Sequence, residues 1–184
     1  MSEPAERPTP ASVLFAAGVV YTAMAAAALL WLWGRDRLQQ LPLRAVGDYG
    51  LPAAAGLGLA TGVGAALLLA LASRRSAGLA RCEGRIAAML GPLSEGQVVA
   101  LATTAAIAEE LFFRLAVLDA IGPLLAVACY AALNTGPGFW PWLPVAMLFA
   151  GAATALMQAG FGLLSATTAH ALVNYLVLRR ILPT

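Results

Sequence analysis

Long apolar runs separated by short polar intervals are the first feature of this chain. Five runs approach the roughly 20 residues that an α-helix needs to cross a bilayer. They cover residues 10–33, 51–73, 97–120, 141–159 and 161–182, and a shorter run covers 123–134. Polar intervals occupy 34–50 and 74–96. The pattern predicts an all-α fold, a polytopic membrane bundle of about six transmembrane or half-spanning helices.

Composition supports one integral membrane domain over residues 1–184. Hydrophobic residues make up 61% of the 184 residues and charged residues only 11%, against about 45–50% and 25% in soluble domains. A net charge of +2 gives no reason to expect a nucleic-acid partner. The start, "MSEPAERPTPAS", lacks a basic signal-peptide region, and the apolar run behind it is too long for one, so we predict a retained anchor.

The arginines favour an orientation with the N-terminus in the cytoplasm. With six passes, seven arginines then lie on the cytoplasmic side and three on the other. The seven are Arg7, Arg74, Arg75, Arg81, Arg85, Arg179 and Arg180, and the three are Arg35, Arg37 and Arg44.

Two carboxylates and a guanidinium interrupt the third run, in "AIAEELFFRLAVL". Each charge near a bilayer centre costs about 2.5–3.5 kcal/mol on insertion scales, so such residues are candidates for a functional site. Glu110 and Arg114 are spaced i,i+4, and an ion pair that helps the helix insert is as good an interpretation as a catalytic role. Glu109 has no such partner in its own helix, which favours a functional interpretation.

Equal spacing from a turn places Asn134 near Glu109. Gly122–Pro123 breaks the helical pattern; Glu109 lies eleven residues before Ala120, and Asn134 eleven residues after Pro123. Both positions are therefore about 16 Å from the turn, near mid-membrane. The following "TGPGFWPW" cannot continue a regular helix and must be buried or line a cavity. Asn134 has an alternative interpretation as the cap of its helix.

The only histidine, His170, is the tenth residue of the last run and also lies near mid-depth. Asn174 is one turn further on the same face, and the small Ala166 allows another helix to approach. We expect Glu109, Asn134, His170 and Asn174 to share one polar pocket, although His170 and Asn174 would also suit an interhelical hydrogen-bond clamp. One histidine with carboxylates is too few ligands for a zinc site, and we predict no metal and no cofactor.

The order "EELFFR", "YAALN", "HALVN" resembles the CPBP family of membrane proteins. That family comprises CAAX-processing endopeptidases, bacteriocin-processing and self-immunity proteins, and related glutamic-type intramembrane proteases, with the pattern EExxxR, FxxxH, HxxxN. Glu109, Glu110 and Arg114 match the first motif, and His170 and Asn174 match the third. The resemblance covers about 97–184. It departs at the second motif, where Tyr130 and Asn134 replace Phe and His.

The resemblance implies hydrolysis of a peptide bond without a covalent intermediate. Glu109 would deprotonate a water positioned by Asn134, while His170 and Asn174 would donate hydrogen bonds to the oxyanion. Glu110 and Arg114 would brace the helix. The implied partners are the lipid bilayer and a membrane-anchored protein or peptide, cut near its C-terminus. The implied location is a bacterial inner membrane, and the small size is similar to that of myxosortase-type members.

Two alternatives stay open at this point. A non-catalytic relative, such as a self-immunity protein or a peptide-binding scaffold, is favoured by Asn134, which cannot take a proton. A small transporter that relays protons through its intramembrane acids is the other alternative, and the lack of an internal repeat argues mildly against it.

Overall fold

The computed structural model describes residues 9–182, and within that range the chain is helical with no strand. The predicted all-α fold class is confirmed. In chain order the α-helices are α1 Pro10–Gly34, α2 Leu41–Val46, α3 Gly50–Arg75, α4 Ala77–Leu90, α5 Glu95–Glu110, α6 Leu118–Ile121, α7 Pro123–Leu133, α8 Leu143–Gln158 and α9 Gly162–Ile181. Short 3-10 turns lie at Leu38–Gln40 and Trp140–Trp142, and a π-helical segment at Leu111–Val117. Arg7, assigned above to the cytoplasmic side, lies outside the described residues.

Three segments are long and apolar enough to cross a bilayer: Pro10–Gly34, Gly50–Arg75 and Trp140–Gln158. Large apolar side chains on their outer surfaces are exposed, such as Leu68 and Leu148, as contact with lipid requires. These helices are compatible with an integral membrane protein. The prediction of about six spanning or half-spanning helices goes beyond these three and stays a prediction.

The two intervals expected to be polar connections contain helices, α2 in the first and α4 in the second. Helix α4 begins after Ser76, whose hydroxyl accepts a hydrogen bond from the Leu79 backbone at 3.3 Å, and ends before Gly91. Leu79 and Cys82 are buried on one side of α4, whereas Arg81 is exposed on the other. The helix is amphipathic, so no continuous apolar run marks it in the sequence.

The third predicted span is one continuous rod formed by α5, the π-helical segment and α6. Its start is capped reciprocally, because the Ser94 hydroxyl accepts from the Gln97 backbone and the Gln97 side chain accepts from the Ser94 backbone. The rod ends at Gly122, whose φ of 79° suits glycine, and Pro123 begins α7. The predicted break at Gly122–Pro123 is confirmed, and α7 turns back against the rod.

Helices α3 and α9 form the most extensive helix pair of the described chain. Small residues permit their close approach: a Cβ on Gly58 would lie 2.6 Å from the Ser165 carbonyl oxygen, and one on Gly62 would lie 2.9 Å from that of Ala169. Such small-residue contacts are typical of membrane helix pairs. They fix the position of α9, which carries His170.

One end of the bundle, here called the α2 end, gathers the α1–α3 connection, the α6–α7 turn and the α8–α9 turn. The Trp31 indole donates to the Asp119 carboxylate at 3.1 Å, and Arg37 pairs with the same carboxylate. The Asp48 backbone donates to the Gly160 carbonyl at 2.7 Å. These contacts tie three connections together.

The opposite end, the α4 end, is held by ion pairs to the last turn of α9. Arg179 lies 3.0 Å from the Glu95 carboxylate. Arg180 pairs with Glu83, which also accepts a hydrogen bond from the Ser73 hydroxyl at 2.6 Å. Helices α3, α4, α5 and α9 are therefore linked at this end.

Candidate functional site

Glu109 and Glu110 are the last two residues of α5, and the π-helical segment Leu111–Val117 begins directly after them. π-helical turns are rare and are frequently found at functional sites. The exposed fraction is 8% for Glu109, 0% for Glu110, 2% for Arg114 and 3% for His170. Four ionisable side chains are thus buried in one region, where charged groups are costly unless they have partners.

Glu110 is the centre of this cluster. One carboxylate oxygen, Oε2, lies 2.9 Å from Arg114 Nε, and the other, Oε1, lies 2.9 Å from His170 Nδ1. The predicted i,i+4 pair of Glu110 and Arg114 is confirmed. When Nδ1 donates to Glu110, the imidazole tautomer and ring orientation are set by that bond. The pair therefore holds His170, from a different helix, with Nε2 on the opposite side of the ring.

Glu109 lies on that opposite side. Its Oε2 is 4.0 Å from His170 Nε2. Among the described residues this oxygen is buried and has no hydrogen-bond partner. The Tyr21 side chain of α1 also lies near the Glu109 carboxylate. A buried polar atom without a partner calls for an explanation, and here it leaves an acceptor free for a bound molecule.

Aromatic rings surround the charged groups. The ring centroids of Phe149 and His170 are 4.9 Å apart, and those of Phe113 and Tyr130 are 5.0 Å apart. The Arg114 guanidinium lies 5.2 Å from the Tyr130 ring centroid, within the range of a cation–π contact. Because the rings restrict water, the hydrogen bonds among the charged groups are stronger than they would be in solvent.

Asn134 ends α7 and lies beside Glu109. Its side-chain amide donates to the Tyr130 carbonyl at 3.0 Å, so the interpretation as a helix cap is confirmed. The Asn134 side chain and the Tyr130 phenol both lie close to the Glu109 carboxylate. Glu109 and Asn134 therefore meet at one level, as the equal counts from Gly122–Pro123 predicted. The role of Asn134 in positioning water stays a prediction.

Asn174 lies apart from the other candidate site residues. It is half-buried one helical turn beyond His170, and among the hydrogen bonds of residues 9–182 none joins it to either glutamate. The structure thus places Glu109, Glu110, Arg114 and His170 in one cluster with Asn134 beside it, and Asn174 one turn away. The alternative interpretation, an interhelical hydrogen-bond clamp, is met by His170, whose Nδ1 lies 2.9 Å from Glu110 Oε1 on α5; among residues 9–182 no side-chain hydrogen bond gives Asn174 the same role.

Two tyrosines near Glu109, Tyr21 and Tyr130, are not among the residues that the sequence predicts for the site. Tyr130 lies one turn before Asn134 on the same face of α7, and that spacing was a usable signal. Tyr21 lies in the first apolar run, and nothing in the sequence connects it with Glu109. Only the packing of α1 against α5 and the π-helical segment reveals it.

A cavity at the α2 end has one member of this cluster, Arg114, in its lining. It has a volume of about 530 Å³, and its lining includes Arg44, Asp48, Arg114, Asp119 and Gln158. Within the described chain, Arg114 Nη1 is buried without a hydrogen-bond partner. The cavity therefore reaches the Arg114 side of the Glu110–Arg114 pair from one end of the bundle.

Comparison with known proteins does not assign this chain to a family. No family model matches the chain, and neither curated proteins nor solved structures give a match. Within residues 9–182, no group of three or more His, Cys, Asp or Glu side chains is arranged to hold a metal ion. The chemistry has to be argued from the buried glutamates and His170 themselves.

Proposed function

We propose that this protein is a glutamic-type intramembrane endopeptidase that hydrolyses peptide bonds of membrane-associated precursor proteins near their C-terminus. The observation that carries the proposal is the buried Glu109 Oε2, which has no hydrogen-bond partner in the described chain and lies 4.0 Å from His170 Nε2. An acceptor beside a held imidazole suits a general base that activates water. The resemblance of "EELFFR" and "HALVN" to the CPBP motifs supports the same assignment.

In the proposed reaction Glu109 takes a proton from a water molecule whose oxygen attacks the peptide carbonyl carbon. The carbonyl oxygen becomes an oxyanion, and protonated His170 donates a hydrogen bond to it from Nε2. Glu109 then passes the proton to the peptide nitrogen as the C–N bond breaks. Asn134 holds the water, and Asn174 donates a second hydrogen bond to the oxyanion.

Glu110 and Arg114 have a positioning role in this proposal. Glu110 accepts from His170 Nδ1 at 2.9 Å, and Arg114 keeps the Glu110 carboxylate in place from the other side. An oxyanion donor is worth about 2.7–4 kcal/mol of barrier when it is well aimed. The loss of either positioning residue should therefore slow the reaction through His170.

We place the protein in a bacterial inner membrane, with the α4 end in the cytoplasm. Apart from the buried Arg114, six described arginines lie at that end and three at the α2 end. The excess matches the charge bias of cytoplasmic loops. Precursors anchored in the same membrane would reach Glu109 from the bilayer or from the cavity at the α2 end.

A second candidate is a non-catalytic protein that binds a peptide in the same place. The observation in its favour is the Asn134 amide, which is engaged with the Tyr130 carbonyl as a helix cap and offers no second base. The two candidates share the binding region and differ only in whether Glu109 performs chemistry.

The test compares the C-termini of membrane proteins by mass spectrometry in cells that lack the gene and carry wild type, Glu109→Gln or Glu95→Gln. Glu95 is the matched control because it lies on the same helix and is exposed. The enzyme proposal expects precursors to keep their C-terminal tails with Glu109→Gln and to lose them with Glu95→Gln. Equal processing by the two variants at equal protein levels would exclude Glu109 as the base. Retained peptide binding without any processing by wild type would favour the second candidate.

A further inference from the structure

Helix α4 lies across one end of the bundle. Near its start Gly78 packs against Pro141, and just past its end Gly91 lies against Pro10 at the start of α1. Its inner side packs against the last turn of α9 around Leu178. A helix of 14 residues spans about 21 Å. Because it contacts the ends of α1, α3 and α9, α4 runs along the surface of the bundle.

Exposed arginines without acidic partners concentrate on this helix and on the end of α3. They are Arg74, Arg75, Arg81 and Arg85, named here the α4 arginine surface. In the described chain, every ion pair involving arginine uses Arg35, Arg37, Arg114, Arg179 or Arg180. Arg44, at the α2 end, is the remaining described arginine without a carboxylate within ion-pair distance. Of the five described arginines without a carboxylate within ion-pair distance, four therefore lie within the twelve residues 74–85.

The α4 arginine surface lies at the edge of the apolar belt. On α3, Leu68 and Leu71 are exposed. The lipid-facing surface of α3 therefore extends to within one turn of Arg74. Arg81 and Arg85 are one turn apart on the outer side of α4, which starts where α3 ends. Arginine side chains at this level extend their charged groups to the headgroup layer while their aliphatic stems stay in apolar surroundings.

We propose that the α4 arginine surface binds the phosphate groups of anionic phospholipids. Guanidinium groups form paired hydrogen bonds with phosphate oxygens. Arginine clusters on amphipathic helices next to a membrane helix are typical of anionic-lipid recognition. The α2 end has no comparable surface among the described residues, because its Arg35 and Arg37 form ion pairs with Asp119.

Arg85 connects this surface with the loop that follows Asn134. Its Nη1 donates to the Gly138 carbonyl at 3.0 Å. The headgroup contacts at Arg74, Arg75 and Arg81 do not depend on that bond. Those three arginines are therefore the ones to change, with the loop contact left intact.

The test uses the purified full chain in detergent micelles, titrated with phosphatidylglycerol and, separately, with neutral phosphatidylcholine, with binding read by native mass spectrometry. Arg81→Gln should weaken phosphatidylglycerol binding about fivefold, since one arginine near an anionic surface contributes about 1 kcal/mol and a tenfold change is 1.4 kcal/mol. Combined change of Arg74, Arg75 and Arg81 to Gln should weaken it about 100-fold. Arg44→Gln is the matched control and should have little effect.

Thermal unfolding of each variant in the same detergent checks that the fold is kept. Wild-type binding of phosphatidylglycerol should also weaken as salt is raised, a readout that needs no variant. Equal binding of the two lipids by wild type would overturn the proposal. So would equal losses in Arg81→Gln and Arg44→Gln, or a triple variant that keeps its binding of phosphatidylglycerol.

Discussion

Replacement of Arg114 by methionine should destabilise the protein strongly. Arg114 Nε lies 2.9 Å from Glu110 Oε2, and neither side chain has any exposed area. Two unit charges about 4 Å apart attract by about 4 kcal/mol at an effective dielectric constant of 20. Removal of one partner of a buried pair typically costs about 3–5 kcal/mol, because the other charge stays buried alone. We expect Arg114→Met to lower the free energy of unfolding by about 3–5 kcal/mol.

A double-mutant cycle separates the ion pair from simple loss of packing. Glu110→Gln combined with Arg114→Met removes both charges of the pair, so the double variant should be more stable than the sum of the two single losses predicts. We expect a coupling free energy of about 2–3 kcal/mol, at the upper end for residues in contact. The hydrogen bond from His170 to residue 110 limits the recovery.

The measurement is equilibrium unfolding in mixed micelles, with sodium dodecyl sulfate as denaturant and far-ultraviolet circular dichroism as the signal. Because the described chain is almost entirely helical, loss of helix reports global unfolding. A loss below about 1 kcal/mol for Arg114→Met is the range of exposed pairs, and it would refute the assignment of a buried pair. Strict additivity in the double variant would refute the coupling.

Three further predictions concern packing, chemistry and the α4 end. Gly58→Ala should lower the free energy of unfolding by about 1–3 kcal/mol, because its new methyl group would meet an α9 carbonyl oxygen at 2.6 Å. Gly56→Ala is the control in the same unfolding assay. It should be neutral or slightly stabilising, because there is open space around Gly56. Asn134→His should raise the processing rate measured on a precursor peptide if the second-motif departure limits catalysis, and an unchanged or lower rate would show that the asparagine is the working residue. Glu83→Gln should raise the proteolytic sensitivity of α4, since it weakens the contacts to Ser73 and Arg180, and no increase would show that α4 is held by apolar packing alone.

The sequence predicts the long helices well, for a plain physical reason. A continuous apolar run must be helical in a bilayer, because its backbone groups have no other partners. Helix α4 follows a different rule: its apolar residues recur every three to four positions between arginines, so its hydrophobicity averages out. A search at helical periodicity over 77–90 would have found it.

The sequence predicts which residues belong to the site better than it predicts the contacts between them. The i,i+4 spacing identified Glu110 and Arg114 as a pair, and equal distances from Gly122–Pro123 brought Asn134 to Glu109. Spacing along a helix says which residues share a face, but not how that face is rotated toward its neighbours. The π-helical segment after Glu110 changes that rotation, and the packing of α9 sets which glutamate meets His170.

The close packing of α3 with α9 bears on how the protein is made. The two helices are separated by more than eighty residues of chain, and α9 follows every other described helix. During synthesis, Glu109 and Glu110 are translated before His170. The hydrogen bond between Glu110 and His170 can form only when α9 slides into the groove of small residues on α3. A half-made chain therefore carries both glutamates without their contact to His170, and the buried cluster is complete only when the last described helix has packed.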